Sequence, residues 1–270
     1  MPPYICVTCG AQFAESATPP ARCSICEDER QYVGWGGQLW TTLDELRAGH
    51  RVAWKREAPG LEGIGVEPRF AIGQRALLVR TPQGNVLWDC IPLVDEPVVE
   101  AVRALGGVRA IAVSHPHYYG GVVEWSRALG GVPVYLHAAD QRWIMRPDAL
   151  TRLWDGDTMA LSPGVTLVRC GGHFDGATVL HWAGGAGGRG CLLAGDVVQV
   201  AEDRRHVSFM YSYPNFIPLG PRAVRRIVAA LEPFQYDEIF GAWWGRNILG
   251  GARAAVTRSA ARYLAHVGED

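Results

Sequence analysis

Short apolar runs alternate with amphipathic segments along most of the chain. Runs such as Val108–Val113 and Val165–Val168 have the length of buried strands, and each ends at polar residues or glycines. The segments Glu96–Leu105, Gly121–Leu129 and Pro221–Leu231 are predicted as helices, the last with proline near its first turn, where the missing N–H costs nothing. This alternation predicts a globular protein of the α/β (α+β) class.

Two histidines directly follow the run Val108–Val113. His115 and His117 are two residues apart, and in an extended segment such residues point to the same side. Pro116 favours the extended conformation at His115. Two neighbouring imidazoles suit zinc or iron. The alternative is a pair of polar loop residues without a ligand.

Two further polar residues stand in the same context. His173 follows the run Val165–Val168 in a Gly-Gly-His sequence, and Asp196 ends the run that begins at Cys191. One polar residue after a strand is ordinary, because loops carry polar groups. Repetition in the order His-x-His, Gly-His and Gly-Asp predicts a metal site instead.

These motifs resemble the metallo-β-lactamase superfamily of metal-dependent hydrolases over about residues 65 to 245. The opening strand pair of the family is similar to Ala76–Val79 and Val86–Asp89. The strand that follows its His-x-His motif is similar to Val132–Leu136. The resemblance implies an αββα four-layer sandwich with metal at the edge between two sheets. It also implies that His115, His117 and His173 are metal ligands.

The family binds two metal ions side by side, and this chain departs from the family pattern at the ligands of the second of these ions. The family motif is His-x-His-x-Asp-His; here Tyr119 stands at the Asp and Gly120 at the next His. The stretch Ile239–Gly245, where the family has its last histidine, contains none. Two adjacent divalent ions need more anionic ligands than Asp196 alone provides. We therefore expect one metal ion, with Asp196 as its fourth ligand or a nearby anion.

Three protein ligands and a water form the open arrangement of catalytic zinc, in which metal-bound hydroxide attacks a carbonyl. Asp196 is expected to hold or polarise the site. Asp175 is a candidate general base in place of the missing family Asp; the alternative is a turn residue before Gly176. Tyr118 and Tyr119 are candidates for donating a hydrogen bond to an oxyanion or for binding ferric iron; the alternative is that they only line the wall of the site.

A second metal site is predicted near the N-terminus. The pairs Cys6-x2-Cys9 and Cys23-x2-Cys26 are separated by thirteen residues, the spacing of two knuckles that share one ion. The segment resembles zinc-ribbon and rubredoxin-like modules. Zinc is favoured, and iron remains the alternative at either site; two disulfides would require an oxidising compartment. The predicted domains are this module at 1–33 and a metallo-β-lactamase-like body at 34–270.

Composition narrows the class of protein. A formal net charge of −1 favours neither nucleic acid nor an anionic membrane as partner. There is no apolar run of ~18 residues and no charged and apolar start typical of a secretory signal. Three more cysteines, at 90, 170 and 191, leave an odd number and suit a reducing cytoplasm.

The leading hypothesis is a cytoplasmic, mononuclear metallo-hydrolase that cleaves an ester, thioester, lactone or amide of a small molecule. One alternative is a non-catalytic protein of the same fold that binds metal and a small molecule. Another is a redox protein with a rubredoxin-like iron centre. The sequence does not specify the oligomeric state.

Overall fold

The computed structural model describes residues 1–268, which form two compact units. The first comprises residues 1–136 and 141–153, and the second comprises residues 137–140 and 154–268. The helical segments are α1 (Leu43–Gly49), α2 (Glu96–Ala104), α3 (Val122–Ala128), α4 (Gly185–Gly188), α5 (Pro221–Leu231) and α6 (Ala252–Val267).

The first unit contains two sheets. The smaller has the order β2-β1-β3 and belongs to the cysteine module; its strands are β1 (Pro3–Cys6), β2 (Gln12–Glu15) and β3 (Trp40–Thr41). The larger has the order β10-β9-β8-β7-β6-β5-β4. Its strands are β4 (Arg51–Ala58), β5 (Leu61–Glu67), β6 (Ala76–Val79), β7 (Val86–Trp88), β8 (Ala110–Ala112), β9 (Val134–His137) and β10 (Thr151–Trp154).

The core of this larger sheet lies in β6, β7 and β8, whose residues are all buried. The pairs β7–β8 and β8–β9 are parallel, as expected where α2 and α3 provide the crossovers. Helix α2 begins at the N-cap Asp95, which accepts a hydrogen bond from the Val98 N–H. Helix α1 begins with a capping box between Thr42 and Glu45.

The second unit is built on a six-stranded sheet with the order β11-β12-β13-β14-β19-β20. Its strands are β11 (Thr158–Ser162), β12 (Val165–Arg169), β13 (Thr178–Trp182), β14 (Cys191–Gly195), β19 (Glu238–Gly241) and β20 (Asn247–Leu249). Two small hairpins follow β14: β15 (Gln199–Val200) with β16 (Val207–Ser208), and β17 (Met210–Ser212) with β18 (Ile217–Pro218).

Strands β13 and β14 pair antiparallel and are joined by a glycine-rich turn. Its α4 segment includes left-handed residues, Ala186 and Gly187 with φ of 52° and 67°. The sheet of the cysteine module extends past residue 33 to Thr41, and the predicted division at 33 stays a prediction. Over residues 1–268, no helix combines the length and apolar character needed to cross a membrane.

Candidate metal centres

The histidine pair lies where β8 gives way to a loop. His115 is extended, with φ −170° and ψ 174°, but Pro116–Tyr118 forms a 3₁₀ turn. The predicted extended segment is therefore wrong at His117. The cause is local: Pro116 suits the first position of a turn, and the Tyr118 N–H donates to the His115 carbonyl at 3.1 Å. The two imidazole centroids are nevertheless 5.1 Å apart.

Neighbouring groups fix the orientation of His115. The Ser114 N–H donates to Oδ1 of Asp89 at 2.7 Å, and the Ser114 hydroxyl lies 3.0 Å from Nδ1 of His115. Asp89 is buried and has a left-handed backbone, with φ 59°. The Tyr118 ring packs edge-on at 4.5 Å from the His115 ring. Because Nδ1 is engaged, Nε2 is the candidate ligand atom of His115.

His173 and Asp196 are both held by the β17–β18 hairpin. Nδ1 of His173 lies 2.8 Å from the Tyr211 carbonyl and 3.2 Å from that of Met210. Since carbonyls only accept, Nδ1 carries the proton and Nε2 is the candidate ligand atom. The Tyr213 hydroxyl donates to the main-chain carbonyl of Asp196 at 2.7 Å. Sequence reasoning missed these contacts, because no local pattern links the hairpin to either ligand.

The predicted ligands form one group. One ligand atom from each of four residues lies within 4.8 Å of the others, and all four residues are buried: His115, His117, His173 and Asp196. Three imidazoles and a carboxylate are a donor set that suits zinc or iron. The residues present therefore fit a bound zinc or iron ion.

The three other candidate residues, Asp175, Tyr118 and Tyr119, differ in their surroundings. The Asp175 side chain is exposed, and its carbonyl accepts a hydrogen bond from Nε of Arg169 at 2.8 Å, which favours the turn interpretation. Tyr118 is buried against His115. Tyr119 borders a small enclosed space of about 10 Å³ together with residues of the cysteine module. Catalytic roles for the three remain predictions.

The four cysteines form the second group. Their Sγ atoms all lie within 4.8 Å of one another, with Cys6 to Cys26 at 3.5 Å and Cys9 to Cys23 at 3.6 Å. The amide of Gln38 donates to Sγ of Cys6 at 3.2 Å.

Hydrogen bonds from the three neighbouring thiols, that of Cys23 first, lower the pKa of Cys6. Hydrogen bonds with the neighbouring thiols raise the pKa of Cys9, and the bond with Cys23 is again the largest cause. Several thiolates cannot coexist in this buried space without a cation, so the donor set fits zinc or iron.

A curated relative shows the family of the chain. The protein YmaE of Bacillus subtilis (strain 168), described as uncharacterized, is 47% identical over 266 residues, which cover 98% of this chain and 96% of YmaE. The chain belongs to the YmaE family. No family model matches it. Membership in the YmaE family does not by itself indicate an activity.

Solved structures identify the fold. The metallo-β-lactamase DIM-1 has a TM-score of 0.60 and 13% identity, covering 80% of this chain and 98% of DIM-1. The metallo-β-lactamase FIM-1 from Pseudomonas aeruginosa, in its mono-zinc form, has a TM-score of 0.58 and 15% identity, covering 78% and 95%. The predicted metallo-β-lactamase fold with an added four-cysteine cluster is thus confirmed.

Proposed function

We propose that this member of the YmaE family is a mononuclear metal-dependent hydrolase that cleaves an ester, thioester, lactone or amide of a small molecule. The observation that carries the proposal is the buried group of three histidines and Asp196, with ligand atoms within 4.8 Å of one another, in a chain with the metallo-β-lactamase fold. We place the protein in a reducing cytoplasm, where the four thiols would keep their metal.

A single ion is supported by the chemistry of the residues around it. At Gly120, a Cβ atom would lie 2.1 Å from the Gly10 carbonyl oxygen, so no side-chain ligand fits at that position. Tyr119 and the Trp243-Trp244 pair stand where further ligands would be needed, and an indole nitrogen is not a usual ligand. FIM-1, of the same fold, has a mono-zinc form.

A metal ion bound by the three histidines would polarise a substrate carbonyl and activate water. The chain's own residues orient the site. The Tyr211 carbonyl fixes the tautomer of His173 by accepting from its Nδ1–H, and Tyr213 holds the backbone of Asp196. The Asp196 carboxylate balances the positive charge of the ion, as ligand or nearby anion. Mutation of a group that orients a metal ligand typically lowers metal affinity or activity by about 10- to 100-fold.

The test combines metal content with turnover. We expect two metal equivalents per chain in the purified protein, and turnover of at least one member of an ester, thioester, lactone and amide panel near neutral pH. Asp196→Asn should lower kcat/KM by about 10- to 100-fold. The control is Asp44→Asn, whose side chain is 93% exposed and which should leave turnover unchanged.

Other outcomes would support the alternatives. Absence of turnover across the panel, together with tight binding of a small aromatic ligand, would overturn the hydrolase and favour a binding protein of the same fold. Iron with reversible reduction at the four cysteines would favour a redox protein.

A further inference from the structure

The cysteine module contacts the histidine loop through two glycines. Gly10 closes the first cysteine knuckle: its N–H donates to the Cys6 carbonyl at 2.8 Å, and its φ is +80°. A Cβ built on Gly120 would lie only 2.1 Å from the Gly10 carbonyl oxygen. Backbone therefore packs on backbone here. Gly120 is three residues beyond His117, so the knuckle bears directly on the loop that presents the histidine pair.

A second contact braces the same region. The Arg146 guanidinium donates to Gln12 and Glu15 of β2, each at 2.7 Å, and to Glu124 of α3 at 2.5 Å. Helix α3 begins directly after the histidine loop. The side chains of Arg146 and Glu124 are 7% and 16% exposed, so their charged hydrogen bond is shielded from water, whereas the Glu15 side chain is 46% exposed. The module is thus tied to both the loop and the helix that follows it.

The knuckle depends on its own metal ion. Four buried thiol groups within 4.8 Å of one another can all ionise only around a cation. In small four-cysteine modules, the free energy of metal binding is largely the free energy of folding. Loss of that ion would relax the segment Cys6–Gly10 and remove the surface on which Gly120 rests.

We propose that the metal ion at the four cysteines sets the affinity of the histidine group for its own ion, with Gly10 and Gly120 as positioning residues. The inference rests on the metal group of the proposed function. Because coupling between binding sites is reciprocal, the ion at the histidines must raise the affinity of the four cysteines by the same factor. The histidine group would then bind its ion tightly only when enough metal is available to fill the four cysteines.

The experiment measures cobalt(II) binding to the full chain by absorbance. Cobalt at the four cysteines is recognised by intense thiolate charge-transfer bands, which cobalt at histidines and carboxylate lacks. Gly120→Ala adds one methyl group against the Gly10 carbonyl, at a backbone φ outside the left-handed range. We expect it to raise the Kd of the histidine group about tenfold, within the usual range of coupling between sites.

Gly36→Ala is the matched control. Its Cβ would meet no atom within 4 Å, and its φ is also outside the left-handed range. Both cobalt affinities should stay within about twofold of the wild type, since no coupling is disturbed. Cys23→Ser, which removes a ligand on the second knuckle, remote in sequence from Gly10, should weaken the histidine group in the same direction as Gly120→Ala.

The outcomes separate the two proposals. If the wild type binds no cobalt at the histidines, the proposed function and this coupling both fail. If it binds two equivalents, and Gly120→Ala and Cys23→Ser leave the Kd of the histidine group unchanged, the coupling is overturned while the proposed function stands. A reciprocal loss of cobalt affinity at the cysteines in Gly120→Ala would support it further.

Discussion

The Tyr213 hydroxyl donates a 2.7 Å hydrogen bond to the main-chain carbonyl of Asp196. Burial is the main cause that raises the pKa of Tyr213, and the charge of Asp196 adds to it, so the phenol stays protonated and able to donate. The same segment accepts the Nδ1–H of His173 at the Tyr211 carbonyl. One hairpin thus orients two of the four candidate ligands.

Removing this hydroxyl should loosen Asp196. We expect Tyr213→Phe to weaken metal binding at the histidine group by about 10-fold, because the phenyl ring keeps the packing but not the hydrogen bond. Competition with a chromophoric chelator measures the affinity. Tyr263→Phe is the matched control: its hydroxyl donates to the Leu219 carbonyl at 3.1 Å, away from the candidate ligands in sequence. If Tyr213→Phe and Tyr263→Phe have the same metal affinity at the histidine group, the orienting role of Tyr213 is contradicted.

Sequence could predict which residues form the candidate ligand group because the positions of these residues are set locally. Each of the three ligand segments follows an apolar strand, and the cysteine spacing is itself a chelate geometry. The same patterns predicted α5 with its observed bounds.

The supporting contacts could not be predicted from local patterns. The pairs Gly10–Gly120, Arg146–Gln12 and Tyr211–His173 join segments far apart in the chain, and no periodicity carries such information. Helix α6 was missed because alanine and serine supply most of its buried face, so the helical period of hydrophobicity is weak. Hydrophobic pattern thus predicts elements, whereas the shape of the site depends on tertiary packing.

The histidine pair should be dispensable for folding. We expect His117→Ala to lose the metal equivalent of the histidine group and keep the one at the cysteines, with little change in far-UV circular dichroism, because His117 lies in a short turn rather than a strand. Elemental analysis measures the metal. His266→Ala, at an exposed position in α6, should keep both equivalents. Two full equivalents in His117→Ala would exclude the proposed ligand set.

Arg146 should contribute strongly to stability. Arg146→Ala leaves Glu124, whose side chain is 16% exposed, without its cation, and breaking a pair of this kind costs about 3 kcal/mol. Arg146→Lys keeps the charge but loses the planar fork that reaches Gln12, Glu15 and Glu124 together, so we expect an intermediate loss. Urea unfolding measures both. An unchanged free energy of unfolding in Arg146→Ala would show that the network has no net stabilising effect.

His181 should make the protein less stable in mild acid. The residue is 8% exposed, and Nε2 lies 2.7 Å from the Gln235 carbonyl, to which it donates. Burial, the larger cause, lowers the pKa of His181, and the hydrogen bond opposes the shift.

The folded protein therefore binds this proton less readily than the unfolded chain, whose histidine pKa is about 6.5. The stabilisation is fully present above that pH and is lost as the pH falls from there toward the folded-state pKa. Between pH 7.5 and 5.5, urea unfolding should show a larger loss of stability in the wild type than in His181→Gln, which keeps an N–H donor but does not titrate. The exposed His266→Gln should behave as the wild type. An equal loss in all three proteins would mean that other groups cause the acid sensitivity.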